Sequence, residues 1–288
     1  MAGEIHTYFE GSWHQGDIPV MKAGDHAAWL GSTVFDGARM FDGMIPDLRP
    51  HLERVNRSAE SLMIKPTVGV DEMIEITREG LNRFAKGTPV YVRPMYWALV
   101  GNETVVQPAY GEGTGFCIAL EEMPLAPPEA ATTLTRTRFR RPTLDCALTN
   151  AKAGSLYPNN GRMLAEARSK GFGNALVTDI AGNVAETATA NVFMVKDGEV
   201  FTPIANGTFL SGLTRKRHIA NLRADGVTVH EAVLTYADFE AADEIFLSGN
   251  VNKVTPVTAF DDVSYQIGPM TKRVRELYWD WAKSDMML

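Results

Sequence analysis

The twelve residues Pro89-Val-Tyr-Val-Arg-Pro-Met-Tyr-Trp-Ala-Leu-Val100 form a run too apolar for an exposed strand. Such a run has to lie inside a sheet, and the rest of the chain must supply what covers it. Yet Arg93 stands in its middle. With a strand period of two, Tyr91 and Arg93 share one face, roughly 7 Å apart. A cation there is costly unless paired or hydrogen-bonded. Two readings stay open for it: a structural salt bridge, or a carboxylate site suited to the rigid guanidinium fork.

The flanking sequence offers partners. Tyr8-Phe9-Glu10-Gly11-Ser12-Trp13 predicts two short strands around a Glu-Gly turn. Thr33 to Phe41, an Asp42-Gly43 turn and Met44-Ile45 predict a second hairpin, with Phe35, Gly37 and Arg39 on one face. Pro50 opens a helix that packs through Leu52, Val55, Ala59 and Leu62, and Arg54 lies about 100° or more off that stripe, which reads as solvent-facing. A second helix starts at an Asp71 cap, carries Met73, Ile74, Thr77, Leu81 and Phe84 inward, and ends at Lys86-Gly87. Phe116 to Leu120 is a further strand.

Pro124-Leu125-Ala126-Pro127-Pro128-Glu129 is the Pro-dense stretch of the chain and reads as a linker. It predicts an N-terminal domain over 1–121, a linker over 122–130 and a C-terminal domain over 131–288. Past it, Thr132 to Arg138 alternates like a strand, and the short basic run Arg138, Arg140, Arg141 reads as a solvated segment near a turn. A helix follows Tyr157 through Met163, Leu164 and Ala167. Strands are expected at Ala175–Thr178, Val184–Thr187, Asn191–Val195, Val200–Thr202, Glu244–Leu247 and Val254–Val257. Leu210 to Arg215 opens a helix that packs through Ile219 and Leu222, and a last helix begins at Gly268-Pro269.

At 288 residues, 45% hydrophobic and 22% charged, the chain has the composition of an ordinary globular protein of two domains or one large one. Its net charge of -7 argues against nucleic acid or an anionic membrane as partner. No apolar stretch approaches the ~18 residues of a membrane span. The opening Met1-Ala2-Gly3-Glu4 has no secretory pattern, so a cytoplasmic location is expected. Cys117 and Cys146, both in apolar-leaning segments, read as reduced core thiols, and the six histidines fall at no metal-like spacing, so no metal is expected.

Lys152 stands among small residues in Thr149-Asn150-Ala151-Lys152-Ala153-Gly154, five positions before Tyr157. It is either a solvated loop lysine, since Lys is almost never buried unpaired, or an amine kept neutral by a desolvated pocket and ready to form a Schiff base. Gly212 and Thr214 at a helix start offer amides, a hydroxyl and a positive dipole end, which suit phosphate, although most such starts are merely capped.

Taken together, Asn150 to Gly154, Glu186 with Asn191-Val192-Phe193, Ser211-Gly212-Leu213-Thr214-Arg215, and Asp243-Glu244-Ile245-Phe246 with Thr255-Pro256-Val257 resemble, in order and spacing, the class IV aminotransferases. These are the fold-type IV pyridoxal-phosphate (PLP) enzymes: branched-chain and D-amino-acid aminotransferases, (R)-selective amine transaminases and aminodeoxychorismate lyase. Gly31 to Arg39, His51-Leu52-Glu53-Arg54-Val55 and Tyr91-Val92-Arg93-Pro94 look most like the branched-chain branch. The resemblance covers nearly the whole chain.

It implies an α+β fold, with an N-terminal α/β sandwich domain, a C-terminal pseudo-barrel and the cofactor between them. It implies that Lys152 forms the Schiff base and shuttles the proton, that Glu186 pairs with the pyridine nitrogen, and that Tyr157 bonds the ring phenolate. Arg54, the amides of Leu213 and Thr214, the Thr214 hydroxyl and the Asn250 side chain would hold the phosphate. Tyr91 and Arg93 would lie near the substrate carboxylate, and Phe35, Gly37 and Val251 would line the substrate pocket. A homodimer is implied, the loop from about Gly101 to Pro108 reaching the partner's site.

Three departures bear on the substrate. Leu30 stands where the branch usually has tyrosine, Met123-Pro124-Leu125-Ala126 lacks its tryptophan and tyrosine, and Asn250 replaces a more usual threonine. The expected reaction transfers the amino group of a branched-chain or similar hydrophobic L-amino acid to 2-oxoglutarate. The alternatives are a D-amino-acid or (R)-amine transaminase, aminodeoxychorismate lyase, and a binding module that has lost the cofactor.

Overall fold

In a computed structural model, which describes residues 3–285, the chain divides into two compact units. Among the described residues, the first comprises 3–125, 151–155 and 282–285, and the second 126–150 and 156–281. The five residues around Lys152 therefore pack with the first unit, although chain order places them past the linker.

The first unit contains β1 (Ile5–Phe9), β2 (Ser12–Gln15), α1 (His26–Leu30), β3 (Thr33–Phe35), β4 (Ala38–Met40), α2 (Leu48–Ser61), α3 (Val70–Leu81), β5 (Val90–Ala98) and β6 (Thr114–Glu122). Its sheet has the order β2-β1-β6-β5-β3, with β4 also on β5. The apolar run that dominates this half is β5, at the centre, antiparallel to β6 over its whole length. Val90, Val92, Tyr96, Trp97 and Ala98 are buried, each large side chain contributing about 1.5–3 kcal/mol.

The expected strand from Thr33 to Phe41 is cut in two. Thr33–Phe35 and Ala38–Met40 both pair with β5 in one continuous register, Phe35 opposite Met95 and Ala38 opposite Val92. The ladder breaks where Pro94 has no N–H to donate, and there the Asp36 N–H donates to the Pro94 carbonyl at 3.0 Å. The Asp42-Gly43 turn forms as read, but it closes a single bridge, Phe41 to Met44, and not a long hairpin. Helix α3 also differs at its start: Gly69 is the N-cap, and Asp71 lies inside the first turn, where its charge favours the dipole.

The second unit contains β7 (Thr132–Arg140), α4 (Tyr157–Ser169), β8 (Asn174–Thr178), β9 (Val184–Thr187), β10 (Asn191–Lys196), β11 (Glu199–Pro203), α5 (Leu213–Ala224), β12 (Val229–Ala232), α6 (Tyr236–Glu240), β13 (Glu244–Gly249), β14 (Lys253–Phe260), β15 (Val263–Ser264) and α7 (Pro269–Ala282). Its sheet runs β12-β11-β10-β13-β14-β7-β8-β9, with β15 on β14, curled as a half-barrel. Neighbouring strands are antiparallel except β11 with β12, and β7 with both β14 and β8. Side chains from both faces of β10 and β13 are buried: Val192, Met194, Ile245 and Leu247 in one apolar cluster, Phe193, Val195 and Phe246 in another, where α5 packs through Ile219 and Leu222. Helices α1 and α6 and strand β12 have five residues or fewer, too short for periodicity to reveal.

Cys117 is buried and its thiol is pushed up to about 12 by burial, but Cys146 is exposed, a correction to its reading as a core thiol. Among the described residues no helix is long and apolar enough to cross a membrane, and no group of His, Cys, Asp and Glu could hold a metal ion.

Candidate active site

In the first unit, the Lys152 segment lies beside β3 like one more strand. The Phe35 N–H donates to the Lys152 carbonyl at 3.1 Å, and Val34 bridges Ala153. The Lys152 N–H donates to Ser58 Oγ of α2 at 3.1 Å. This explains the small residues. Ala151 and Ala153 are each 1% exposed, and a Cβ on Gly154 would collide with Thr33 Oγ1. Lys152 itself is half-buried, and its Nζ lies 4.6 Å from the centroid of the Phe35 ring. A backbone held from two sides with its amine over an aromatic face is not a solvated loop lysine.

The same sheet face brings together the residues expected near the substrate. Arg39 stands opposite Tyr91 in the register, and a Cβ on Gly37 would collide with Tyr91 Oη, so only glycine lets the phenol lie there. Arg93 lies 5.9 Å from the Tyr91 ring centroid and 3.4 Å from Glu121 Oε2. Of the two readings left open for Arg93, the ion pair is therefore present. Arg39 is fully buried, donates to the Met123 carbonyl, and is pulled down to about 10 by burial, against the nearby Tyr91.

Arg54 is not a solvent arginine. Its Nε donates to Asp36 Oδ2 at 2.6 Å and its Nη2 to Asp36 Oδ1 at 2.8 Å, while His51 Nδ1 lies 2.6 Å from the same Oδ1. Asp36 is completely buried. Burial alone would raise its carboxyl, but Arg54 and His51 outweigh that and hold it well below the usual carboxylate range. Asp36 sits between Phe35 and Gly37, so this ion pair fixes the gap in the strand pair as well as the guanidinium.

In the second unit, Glu186 ends up between two donors. Arg141 Nη2 lies 2.9 Å from Oε1, and Asn191 Nδ2 donates to Oε2 at 3.0 Å. Arg141 also donates to Asn160 Oδ1 at 2.8 Å and to the Thr187 carbonyl at 2.7 Å. Its expected place in a solvated basic run is wrong: Arg138 and Arg140 are exposed, but Arg141 is buried. Alternation along β7 carries no sign of that, because the carboxylate that draws Arg141 inward lies on β9.

Asn191 accepts the Gly212 N–H through Oδ1 at 3.1 Å and donates to the Leu210 carbonyl at 3.1 Å. Gly212 is the N-cap of α5 in an extended conformation, and any Cβ there would collide with Asn191 Oδ1. Leu213 and Thr214 follow as the first helical residues, Thr214 buried. Their amides belong to the first turn, which has no intrahelical acceptors. A cleft of about 400 Å³ is lined by Ala190, Leu247, Gly249, Asn250, Val251 and Thr255. Tyr157, the first residue of α4, is exposed.

Sequence reasoning missed Arg141, Asp36 and His51, and it quoted Asn191 without a role. The one available signal was compositional: Asp36 is a charge inside an otherwise strand-like run.

With this geometry in place, the chain matches the family model for class IV aminotransferases over residues 33–260. The branched-chain-amino-acid aminotransferase of Escherichia coli K12 is 30% identical over 281 residues, covering 93% of this chain and 88% of that protein. A crystal structure of an aminotransferase from Brucella abortus, bound to the cofactor PLP, aligns with a TM-score of 0.95 at 52% identity over 97% of this chain and 99% of that one. A crystal structure of the E. coli branched-chain amino acid aminotransferase aligns with a TM-score of 0.89 at 27% identity, over 97% and 94%. The chain belongs to the class IV aminotransferases, and its two-unit α+β fold is that of fold type IV.

Proposed function

We propose that this protein is a PLP-dependent aminotransferase that moves the amino group of a branched-chain or similar hydrophobic L-amino acid to 2-oxoglutarate. The observation that carries the reading is the Asn191 side chain, which holds the Glu186 carboxylate at one end and the N-cap of α5 at the other. An anchored acid and an anchored anion-binding helix start, tied by one amide, suit a cationic ring nitrogen and a phosphate on the same molecule. When bound, PLP supplies an electron sink for the substrate carbanion.

The chain's residues divide the remaining work. Lys152 Nζ would be the attachment point and would carry the proton to and from the substrate α-carbon. Glu186 would pair with the pyridine nitrogen and keep its proton in place, and Tyr157 would bond the ring hydroxyl. Arg54, the Leu213 and Thr214 amides, the Thr214 hydroxyl and the Asn250 side chain would hold the phosphate. Tyr91 and Arg93 take the substrate carboxylate, with Phe35, Gly37 and Val251 around the side chain.

One observation favours a second reading. Glu121 at 3.4 Å from Arg93 shares the cation that would meet a carboxylate, which suits an (R)-amine better than an acid. The PLP form mixed with L-leucine, L-valine, D-alanine or (R)-1-phenylethylamine separates the two. Loss of the chromophore with L-leucine is the expected result, a response to the amine alone would favour the second reading, and no response to any would overturn both. Lys152→Ala should abolish turnover in the same assay. We also propose a homodimer, supported by the exposed Val100, Val105 and Val106 in and beside the 101–108 loop, which sedimentation tests, and a cytoplasmic location, supported by two free thiols.

A further inference from the structure

Helix α7 flanks a second cavity in the second unit, of about 730 Å³, within the roughly 300–1,000 Å³ range of small-molecule pockets. Pro128, Glu129, Pro256, Ile267, Arg275 and Trp279 line it. It is separate from the cleft described above, although the two share walls. On β14, Thr255 lines the cleft and Pro256 the cavity, since neighbours in a strand point to opposite faces. Just before β7, Ala130 lines the cleft and Glu129 the cavity.

The cavity carries both signs of charge on apolar walls. Arg275 is half-buried, and its Nη2 donates to the Val254 carbonyl at 2.9 Å, which anchors the guanidinium to β14. Its other N–H groups make no hydrogen bond among the described residues. Burial lowers the Arg275 pKa and the charge of Glu129 acts against that, yet among the described residues the two form no ion pair. They face one space and sense each other's charge without meeting. Lys272, one turn before Arg275 on the same helix face, adds a second cation. Glu276 and Asp280 add carboxylates at the rim, Glu276 already 3.3 Å from Arg273.

A carboxylate suits the Arg275 fork, but a ligand that is only an anion would also face three carboxylates, and one that is only a cation would face Arg275 and Lys272. A ligand with both charges close together meets each. Trp279, one turn after Arg275, offers apolar surface for a side chain, with Ile267, Pro128 and Pro256 around it.

We infer that this cavity is a second binding site for an α-amino acid with an apolar side chain, Arg275 taking the carboxylate, Glu129 the ammonium and Trp279 the side chain. The site needs neither Lys152 nor a cofactor, so it stands or falls apart from the proposed function. The probe is α-methyl-L-phenylalanine, which has no α-hydrogen to lose and cannot be transaminated. Calorimetry measures its binding to the wild type, Arg275→Ala and Glu129→Gln. Glu129 is exposed and glutamine has its shape, so that variant reports even where Arg275→Ala unsettles α7.

The expected result is a binding component in the wild type that each variant weakens about tenfold, the scale of one charge-assisted contact. 3-Phenylpropanoate, without the ammonium, and 2-phenylethylamine, without the carboxylate, should bind in that component about tenfold more weakly than the probe. No binding, or binding equal in the wild type and Glu129→Gln, would overturn the site. An acid or an amine that binds as tightly as the amino acid would overturn it too, because one charge would then suffice.

Discussion

Asn191 Nδ2 donates to Glu186 Oε2 at 3.0 Å, and the same amide accepts the Gly212 N–H at 3.1 Å. Replacing it with aspartate sets a second carboxylate against the first and removes the donor. Asn191→Asp is expected to lower kcat for L-leucine by roughly a hundredfold, the scale of losing one preorganised electrostatic contact. Steady-state kinetics at saturating PLP measure it, and an unchanged kcat would separate this link from the chemistry.

Asp36, buried under Arg54 and His51, has a stability contribution of known sign. Its folded-state pKa lies below the ordinary value, so the contribution is complete above the unfolded carboxylate range and is lost as pH falls through the folded value. Asp36→Asn leaves the largely buried Arg54 without its anion, and a loss of about 3 kcal/mol is expected at pH 7. Denaturant midpoints of the two proteins should draw together below about pH 4. A gap that stays constant into acid would show that folding does not lower the Asp36 pKa.

His218 works in a different pH window. Burial lowers it to about 4 from 6.5; the Lys253 carbonyl raises it and the Lys253 charge lowers it further. Between those values the unfolded chain binds a proton that the folded chain refuses, so stability falls as pH drops from about 6.5 to about 4. Over that window His218→Gln should show a shallower decline than the wild type, by at most about 3 kcal/mol in all. Urea midpoints at half-unit pH steps decide it, and parallel slopes would mean that His218 titrates normally.

Arg93 pairs with Glu121 at 3.4 Å while both remain partly exposed. A substrate carboxylate in its place would be met by the same guanidinium. Arg93→Ala is expected to raise KM about tenfold for hydrophobic L-amino acids and their 2-oxo acids, with little change for a simple amine. Equal effects on acids and amines would take Arg93 out of the carboxylate site.

Much of the fold was legible locally. The Asp42-Gly43 turn forms with both residues at positive φ, β5 lies inside its sheet, and α4 buries Met163 and Ala167 as its spacing predicts. Turn chemistry and apolar periodicity act over a few residues, so they can be read from a few residues. The interrupted strand at Asp36-Gly37 was not legible, because its cause is Pro94 on the neighbouring strand. Nor was the helix start at Gly69, where a capping preference for aspartate gave way to where the chain turns.

By itself the sequence determined the class of protein: separated motifs around Lys152, Glu186, Thr214 and Thr255-Pro256 resemble the class IV aminotransferases, and comparison with relatives bears that out. Only tertiary structure decided what each charge touches. Arg54 read as solvent-facing and is held by Asp36; Arg141 read as solvated and is buried on Glu186; Lys253 drew no notice and is buried against Asn250. The reason is physical. A charge can be buried only where an oppositely charged or hydrogen-bonding group meets it, and in Arg54 and Arg141 that group comes from a different element of the chain. Periodicity along one helix or strand reports the average environment of its face, and a single ion pair overrides it.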